Sequence, residues 1–95
     1  MEFRSKKRAK EEYGPANALT PSETTSMIKL ANITDDDVFY DLGSGYGRVV
    51  RAIIKGTRAK KSVGIENDPI RFCEAIRIAK RSLTKRQQKR RVSML

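Results

Sequence analysis

The fold of this chain is decided by the sequence Asp41-Leu42-Gly43-Ser44-Gly45-Tyr46-Gly47, in which glycines alternate with other residues. Residues 37–40, immediately before it, contain β-branched and aromatic side chains that are typical of a buried strand. After it, Val50, Ile53 and Ile54 recur at helical spacing and indicate one face of a helix. The glycines therefore lie where a strand passes into a helix, a position at which an α/β sheet presents backbone N–H groups to a ligand.

Two common ligands of such a turn are disfavoured by the residues that follow it. The phosphate-binding loop of nucleoside triphosphatases needs Gly-Lys-Ser/Thr, but Gly47 is followed by Arg48 and Val49. The dinucleotide fingerprint needs a third small residue three places after Gly45, and Arg48 occupies that place. Nucleoside triphosphate hydrolysis and NAD binding are therefore poor fits to this sequence.

Two carboxylates flank the turn in the predicted sheet. Asp41 precedes the first glycine by two places, and Glu66 ends a second strand-like run, residues 62–65. A carboxylate at the C-terminal end of a strand can accept hydrogen bonds from the hydroxyls of a ribose. Two carboxylates in one pocket also favour a cationic ligand over a pyrophosphate, whose charge they repel. Each has a simpler alternative, since Asp41 could only cap the turn and Glu66 could be an ordinary strand-end residue.

The pattern Asp-x-Gly-x-Gly-x-Gly, followed by a strand that ends in glutamate, resembles the first two motifs of the class I methyltransferases, which use S-adenosylmethionine. Residues 33–50 and 63–66 are similar to one branch of that superfamily, the non-SET histone-lysine methyltransferases named for disruption of telomeric silencing. Leu19-Thr20-Pro21 stands where this family has a loop ending in a threonine that contacts the cofactor. The resemblance covers residues 13–83 and departs from the family at Arg48, where a glutamine is usual.

The resemblance implies a Rossmann-like α/β fold with a parallel sheet. The sheet is expected to be truncated to about three strands, in the order β-α-β-α-β after an N-terminal helix. The sequence then divides into a flexible basic segment, residues 1–12, and the cofactor-binding half of a methyltransferase domain, residues 13–95. Residues 91–95 begin the third strand, so we expect a partner or a missing C-terminal region to complete the sheet.

The same resemblance implies S-adenosylmethionine as the cofactor and the side chain of a protein lysine as the methyl acceptor. Six residues are expected to bind the cofactor: Asp41, Gly43, Ser44, Gly45, Glu66 and Thr20. A lysine amine must lose its proton before it attacks the methyl group, and its reference pKa of about 10.4 makes that costly in water. No residue is assigned as a catalytic base, and we expect a dry channel to lower the pKa of the amine.

Helix boundaries can be predicted from capping residues. Thr20-Pro21-Ser22-Glu23 is a capping box with proline at the first helical position, and Asn32 is expected to end that helix. Gly56 is the predicted C-terminal cap of the helix after the glycine turn. Asn67-Asp68-Pro69 caps a long helix with an apolar stripe that includes a core cysteine: Phe72, Cys73, Ile76, Ala79 and Leu83.

Length and composition set outer limits on the function. The 95 residues suit one domain. A single cysteine does not favour an intrachain disulfide, and with no histidine the sequence offers few ligands for a transition metal. No apolar run approaches the ~18 residues of a membrane span, and the first residues lack the apolar core of a signal peptide. We therefore expect an intracellular protein, in the nucleus or the cytoplasm, without membrane contact.

The net charge of +10 is unevenly placed, with two basic runs at residues 6–10 and 80–91. Such runs keep a helix face solvated, attract the phosphates of a nucleic acid or nucleosome, or act as nuclear import signals. The second run contains no aromatic residue, which favours contact with a phosphate backbone over base stacking. An alternative function is therefore that of a truncated, non-catalytic relative that acts as a basic nucleic-acid or partner-binding module.

Overall fold

The computed structural model describes residues 19–95. In chain order the elements are α1 (Pro21–Ala31), β1 (Val38–Leu42), α2 (Arg48–Gly56), β2 (Lys61–Ile65), α3 (Pro69–Ser82), α4 (Lys85–Gln88) and β3 (Arg91–Met94). This order confirms the predicted helix followed by β-α-β-α-β, with the short α4 as an unpredicted addition. The predicted flexible segment, residues 1–12, lies outside the described residues. Within residues 19–95, no helix is long and apolar enough to cross a membrane.

The three strands form one parallel sheet in the order β1-β2-β3. The β1–β2 ladder begins at the pair Val38 and Lys61 and ends at the pair Leu42 and Ile65, and β3 pairs with β2 in the same direction. Because parallel strands end at the same side of a sheet, the segments after β1 and β2 are neighbours, and so are the segments before β2 and β3. We call these two sides the carboxyl edge and the amino edge. Within residues 19–95, the predicted three-stranded parallel sheet is confirmed.

Helix α2 contributes to both core clusters of the structure. The first cluster is formed by Phe39, Val49, Ile53 and Ala59, against which Met27, Ile28 and Ile33 pack. The second cluster is formed by Val50, Ile54, Ala79 and Leu83. Two adjacent faces of α2 are therefore buried, one toward β1 and α1 and the other toward α3. This packing fixes the N-terminus of α2 at the carboxyl edge, directly after the glycine turn.

The predicted helix starts are confirmed. Thr20 is the N-cap of α1, because its hydroxyl accepts a hydrogen bond from the Glu23 N–H at 3.1 Å and its own N–H donates to the Glu23 carboxylate at 2.8 Å. Asp68 is the N-cap of α3 and accepts a hydrogen bond from the Ile70 N–H at 2.9 Å. Asn32 ends α1 in the left-handed conformation, with a φ of 49°.

Two local predictions are wrong. Gly56 is the last residue of α2 rather than its cap; the cap is Thr57, whose N–H and hydroxyl both donate to the Ile53 carbonyl oxygen. Cys73 is exposed rather than part of the core. The buried part of the predicted stripe is confined to its C-terminal end, at Ala79 and Leu83, which pack against Val50 and Ile54 of α2.

Candidate functional site

The glycine turn at the carboxyl edge begins at the buried end of β1. Asp41, the penultimate residue of β1, is 2% exposed. Gly43, Gly45 and Gly47 all have left-handed backbone, with φ of 79°, 60° and 82°. A residue with a side chain adopts this conformation at a cost of about 1–2 kcal/mol. The alternation of glycines therefore has a conformational cause, and Gly47 leads directly into α2 as its N-cap.

The turn is anchored on the neighbouring strand β2. The N–H groups of Gly43 and Ser44 both donate to the Ile65 carbonyl oxygen, at 2.7 and 2.9 Å. A methyl group at Gly64 would lie 2.8 Å from Ser44 Oγ and 3.1 Å from Val50 Cγ2. Only a residue without Cβ lets the turn approach β2 this closely. Sequence analysis missed Gly64, although a lone glycine inside a strand indicates a close approach of another backbone.

Glu66, which directly follows β2, joins the turn to the start of α3. The residue is buried. Its Oε1 accepts a hydrogen bond from the Gly45 N–H at 2.7 Å. Its Oε2 accepts one from the Asp68 N–H at 3.0 Å and one from Arg71 Nε at 3.4 Å. The strand-end glutamate therefore fixes the carboxyl ends of both strands relative to each other.

These hydrogen bonds limit how Glu66 can hold a ribose. A carboxylate offers about four lone-pair sites, and three protein donors already contact this one. Recognition of two ribose hydroxyls at once therefore requires one protein donor to move. Arg71 is the donor that can move away from Glu66 most easily, because its hydrogen bond is the longest of the three and its side chain is 37% exposed.

A cation braces the turn from the side of α2. Arg51, in the first turn of α2, donates from Nη1 to the Tyr46 carbonyl oxygen at 2.6 Å. Burial lowers the pKa of the Arg51 guanidinium, and the neighbouring charge of Arg48 lowers it further. A methyl group at Gly47 would lie 3.3 Å from the same Nη1. Sequence analysis did not identify Arg51, and its place four residues after Gly47 is the only signal that could have indicated this contact.

Thr20, the sixth predicted site residue, lies at the start of α1, where its hydroxyl caps the helix. A groove with a volume of about 500 Å³ lies between α1 and α2 and is lined by Pro21, Thr24, Thr25, Ile28, Lys29, Arg48, Ala52, Lys55 and Gly56. The first residues of α1 and of α2, Pro21 and Arg48, thus line the same groove. The contact of Thr20 with a cofactor stays a prediction.

The carboxyl edge brings together five of the predicted site residues, namely Asp41, Gly43, Ser44, Gly45 and Glu66. Methyl groups at Gly43 and Gly45 would meet nothing within 4 Å, so the bare backbone leaves open space beside the turn. Asp41 and Glu66 are both buried and contribute negative charge at the same edge. Open space beside a polar backbone and two carboxylates suits a cationic ligand that carries hydroxyl groups. The residues present therefore fit the predicted cofactor.

The sequence of this region identifies a protein family. Residues 5–91 match the family described as "Histone methylation protein DOT1". The chain belongs to the DOT1 family. The matched range includes β1, the glycine turn, β2 and Glu66, so the predicted family is confirmed for the segment that forms the site.

Two curated proteins illustrate the DOT1 relationship. A "Protein-lysine N-methyltransferase" of Saccharolobus islandicus (strain REY15A) is 40% identical over 50 residues, which are 53% of this chain and 31% of the relative. A "Histone-lysine N-methyltransferase, H3 lysine-79 specific" of Caenorhabditis elegans is 46% identical over 56 residues, which are 59% of this chain and 6% of the relative. The chain therefore spans less than a third of the length of these relatives.

A solved structure is similar to this DOT1 chain in fold. It is an RNA methyltransferase from Salinibacter ruber in complex with S-adenosyl-L-homocysteine, and it matches with a TM-score of 0.70 and 32% sequence identity. The match covers 79% of this chain and 46% of that one. The DOT1 chain thus has the α/β architecture of part of a methyltransferase, and the predicted Rossmann-like fold class is confirmed.

Proposed function

We propose that this chain binds S-adenosylmethionine at its carboxyl edge and forms the cofactor-binding part of an enzyme that methylates protein lysine side chains. The observation that carries the proposal is a left-handed glycine turn between two buried carboxylates at the ends of β1 and β2. The DOT1 family match supports it. The S-adenosylhomocysteine bound to the structural neighbour also supports it.

The site residues have distinct roles in this proposal. S-adenosylmethionine, when bound, supplies an electrophilic methyl group on a positively charged sulfur. The open backbone at Gly43 and Gly45 admits the ligand, and Ser44 holds the turn against β2. Asp41, at 2% exposure, acts mainly through its charge, which favours a cation over an anion. Glu66 orders the turn and is the acceptor for ribose hydroxyls.

The proposed methyl acceptor is the amine of a protein lysine. The support comes from the two relatives, which are a protein-lysine and a histone-lysine N-methyltransferase. The amine attacks only when it is neutral, so the site must exclude water and lower the lysine pKa from its reference value of about 10.4. Among the described residues, β1 lies at an edge of the sheet. A partner or a further part of the protein is proposed to complete the sheet and to help enclose the site.

The non-catalytic alternative is not favoured. A basic binding module would not need open space beside Gly45, nor a glycine at position 64 that lets the turn approach β2. The family match extends over these positions. The histone-lysine relative also supports an intracellular site of action, in the nucleus where the acceptor is a histone.

Isothermal titration calorimetry of the chain with S-adenosylhomocysteine tests the cofactor part of the proposal. Asp41→Asn and Glu66→Gln should each weaken binding by roughly ten- to a hundredfold, because a hydrogen bond or charge contact to an ionised group contributes about 1.5–3 kcal/mol. Asp36→Asn is the matched control, since this exposed aspartate precedes β1 at the amino edge. Wild-type affinity in both site variants would show that the ligand binds elsewhere.

Methyl transfer tests the acceptor part separately. The assay supplies labelled S-adenosylmethionine to a protein that contains this chain and the strands that complete its sheet, with histones and total RNA as competing acceptors. Mass spectrometry should locate the label on lysine side chains. Label on RNA alone would overturn the lysine acceptor while leaving the cofactor site intact, whereas a failure of the calorimetry would remove both.

A further inference from the structure

The amino edge of the sheet, opposite the glycine turn, gathers cations from two distant parts of the sequence. The segments before β2 and β3 are neighbours there, because these strands pair in parallel. The exposed cations of these segments, which we call the amino-edge basic face, are Lys55, Arg58, Lys60, Lys61, Lys85, Arg86 and Lys89. More than half of them lie outside the basic run at residues 80–91, so this face cannot be recognised from the linear sequence.

Arg90 links the segment before β3 to the segment before β2 by hydrogen bonds. Its guanidinium donates from Nε to the Ala59 carbonyl oxygen at 2.9 Å, from Nη1 to that of Ile54 at 3.1 Å and from Nη2 to that of Thr57 at 2.9 Å. Ile54 lies in the last turn of α2, where a positive charge is favourable. Arg90 is therefore a positioning residue, and the surrounding exposed cations are the ones available to a ligand.

Within residues 19–95, no ion pair neutralises the charges of the amino-edge basic face. The ion pairs found within residues 19–95 belong to Arg71 and Arg77, so in that range no cation of the face has a carboxylate partner. Lys61 Nζ donates instead to the Lys89 carbonyl oxygen at 2.8 Å. The acidic residues of this edge, 35–37, lie beside the segment before β2, where the Lys60 N–H donates to the Asp37 carbonyl oxygen at 2.8 Å. The Asp37 carboxylate accepts a hydrogen bond from the Thr34 N–H at 2.8 Å, and residues 35–37 form no ion pair with the face within residues 19–95. An external anion would therefore relieve the repulsion between these like charges.

The composition of the face decides what kind of anion fits. The two segments that carry the face, residues 55–61 and 84–90, contain none of the large apolar side chains that are exposed in the described structure, namely Leu30, Tyr40, Tyr46, Ile70, Met94 and Leu95. Without an aromatic side chain, the face has no platform on which the bases of a single strand could stack. Without an apolar side chain, it has nothing to insert into a lipid bilayer. A nucleic-acid duplex keeps its base faces stacked inside and presents a dense array of phosphates, with one charge per about 1.7 Å of helix axis.

We propose that the amino-edge basic face binds the phosphate backbone of a nucleic-acid duplex without reading its base sequence. Release of condensed counterions from the duplex drives this binding. The proposal goes beyond the proposed methyl transfer and does not depend on it. The two edges are separated by the length of β2, which has five residues and therefore spans about 16 Å. A duplex bound at the amino edge leaves the glycine turn accessible.

Fluorescence anisotropy of a labelled DNA duplex of mixed sequence, titrated with the full chain at several salt concentrations, tests the proposal. The test variant combines Arg58→Gln, Lys60→Gln, Lys85→Gln and Lys89→Gln. The matched control combines Lys6→Gln, Lys7→Gln, Arg8→Gln and Lys10→Gln, which lowers the net charge from +10 by the same amount. Thermal unfolding of both variants establishes that each remains folded.

The test variant should lose about tenfold or more in duplex affinity, and the slope of log K against log salt should fall by about 0.9 for each phosphate contact removed. The control variant should keep most of the affinity and of the slope. Equal losses in the two variants would show that net charge alone matters and would overturn the proposal. Binding of wild-type chain to phosphatidylserine vesicles but not to the duplex would overturn it in favour of a membrane surface.

Discussion

Gly64, the penultimate residue of β2, is the position where one added methyl group should damage the site most. The methyl group of Gly64→Ala would lie 2.8 Å from Ser44 Oγ, 3.0 Å from Ser44 Cβ and 3.1 Å from Val50 Cγ2. Favourable carbon contacts lie at about 3.5–4.0 Å, so all three distances are repulsive. The substitution therefore forces the glycine turn and α2 away from β2.

The loss of stability caused by Gly64→Ala can be estimated from the hydrogen bonds that hold Ser44. Its N–H donates to the Ile65 carbonyl oxygen at 2.9 Å, and its carbonyl oxygen accepts from the Gly47 N–H at 3.0 Å. A retreat of Ser44 would weaken these bonds, each of which contributes about 0.5–1.5 kcal/mol. Overpacking of this kind costs about 1–3 kcal/mol. We expect Gly64→Ala to lower the melting temperature by roughly 4–8 °C for each kcal/mol lost.

Thermal unfolding with and without S-adenosylhomocysteine measures the loss of stability and the loss of ligand binding in one experiment. Gly64→Ala should lower the melting temperature and also reduce the ligand-induced shift, because the turn moves. Gly56→Ala is the matched control: its methyl group would lie 3.9 Å from Ile28 Cδ1, an ordinary contact, at the end of a helix. The control should stabilise the chain slightly, by about 0.4–1 kcal/mol.

A second substitution separates overpacking from other effects of alanine. Ser44→Gly removes two of the three clashing atoms, Oγ and Cβ, so the double variant with Gly64→Ala should regain part of the melting temperature. If Gly64→Ala were as stable as the wild-type chain and bound the ligand equally well, the close approach of the turn to β2 would be wrong.

Further predictions concern other parts of the structure. Gly45→Val should abolish ligand binding while keeping the helical circular dichroism, because the residue has a φ of 60° and faces open space; retained binding would remove the turn from the site. Glu23→Ala should destabilise α1 in thermal unfolding, and the difference from wild type should shrink as the pH falls below about 4.3, because hydrogen bonds from the backbone N–H and the hydroxyl of Thr20 lower the pKa of Glu23 and are weakened when the carboxylate is protonated. Arg90→Ala should cost about 1.5–3 kcal/mol by urea unfolding, since three carbonyl oxygens lose a charged donor.

The order of elements could be predicted from the sequence because local signals coincide with the tertiary structure. The capping box at Thr20, the N-cap at Asp68 and the prolines that follow them place the starts of α1 and α3 where the structure has them. The alternation of glycines after a strand-like run likewise predicts the turn. In each case the residues that give the signal are also the residues that make the hydrogen bonds.

The parts that could not be predicted depend on contacts between distant residues. Gly64 is required by the approach of Ser44, which lies twenty positions earlier in the sequence. Arg90 lies in a basic run that suggests a solvated face, yet its guanidinium is held by the carbonyl oxygens of an adjacent loop. Cys73 fits an apolar helical stripe but is exposed in the described structure. Periodicity shows which side chains can share a face but not which face finds a partner.

The donors around Glu66 could not be predicted for the same reason. Its place at the end of β2 indicated a ribose acceptor, whereas the structure shows that it also accepts hydrogen bonds from Gly45, Asp68 and Arg71. Two of these donors are backbone N–H groups whose direction depends on the turn and on the start of α3. The residue was therefore correctly placed at the carboxyl edge, while its structural role became visible only in the folded chain.

Amide chemical-shift mapping with S-adenosylhomocysteine tests most directly whether the carboxyl edge is the cofactor site. In two-dimensional nitrogen–proton spectra of the full chain, the largest shifts should fall on residues 41–47 and 64–68, and the segments at the amino edge, residues 55–61 and 84–90, should be unaffected. Saturable shifts confined to those two carboxyl-edge segments are the predicted result. Shifts centred at the amino edge, or none at a saturating ligand concentration, would contradict the assignment of the glycine turn and Glu66 to cofactor binding.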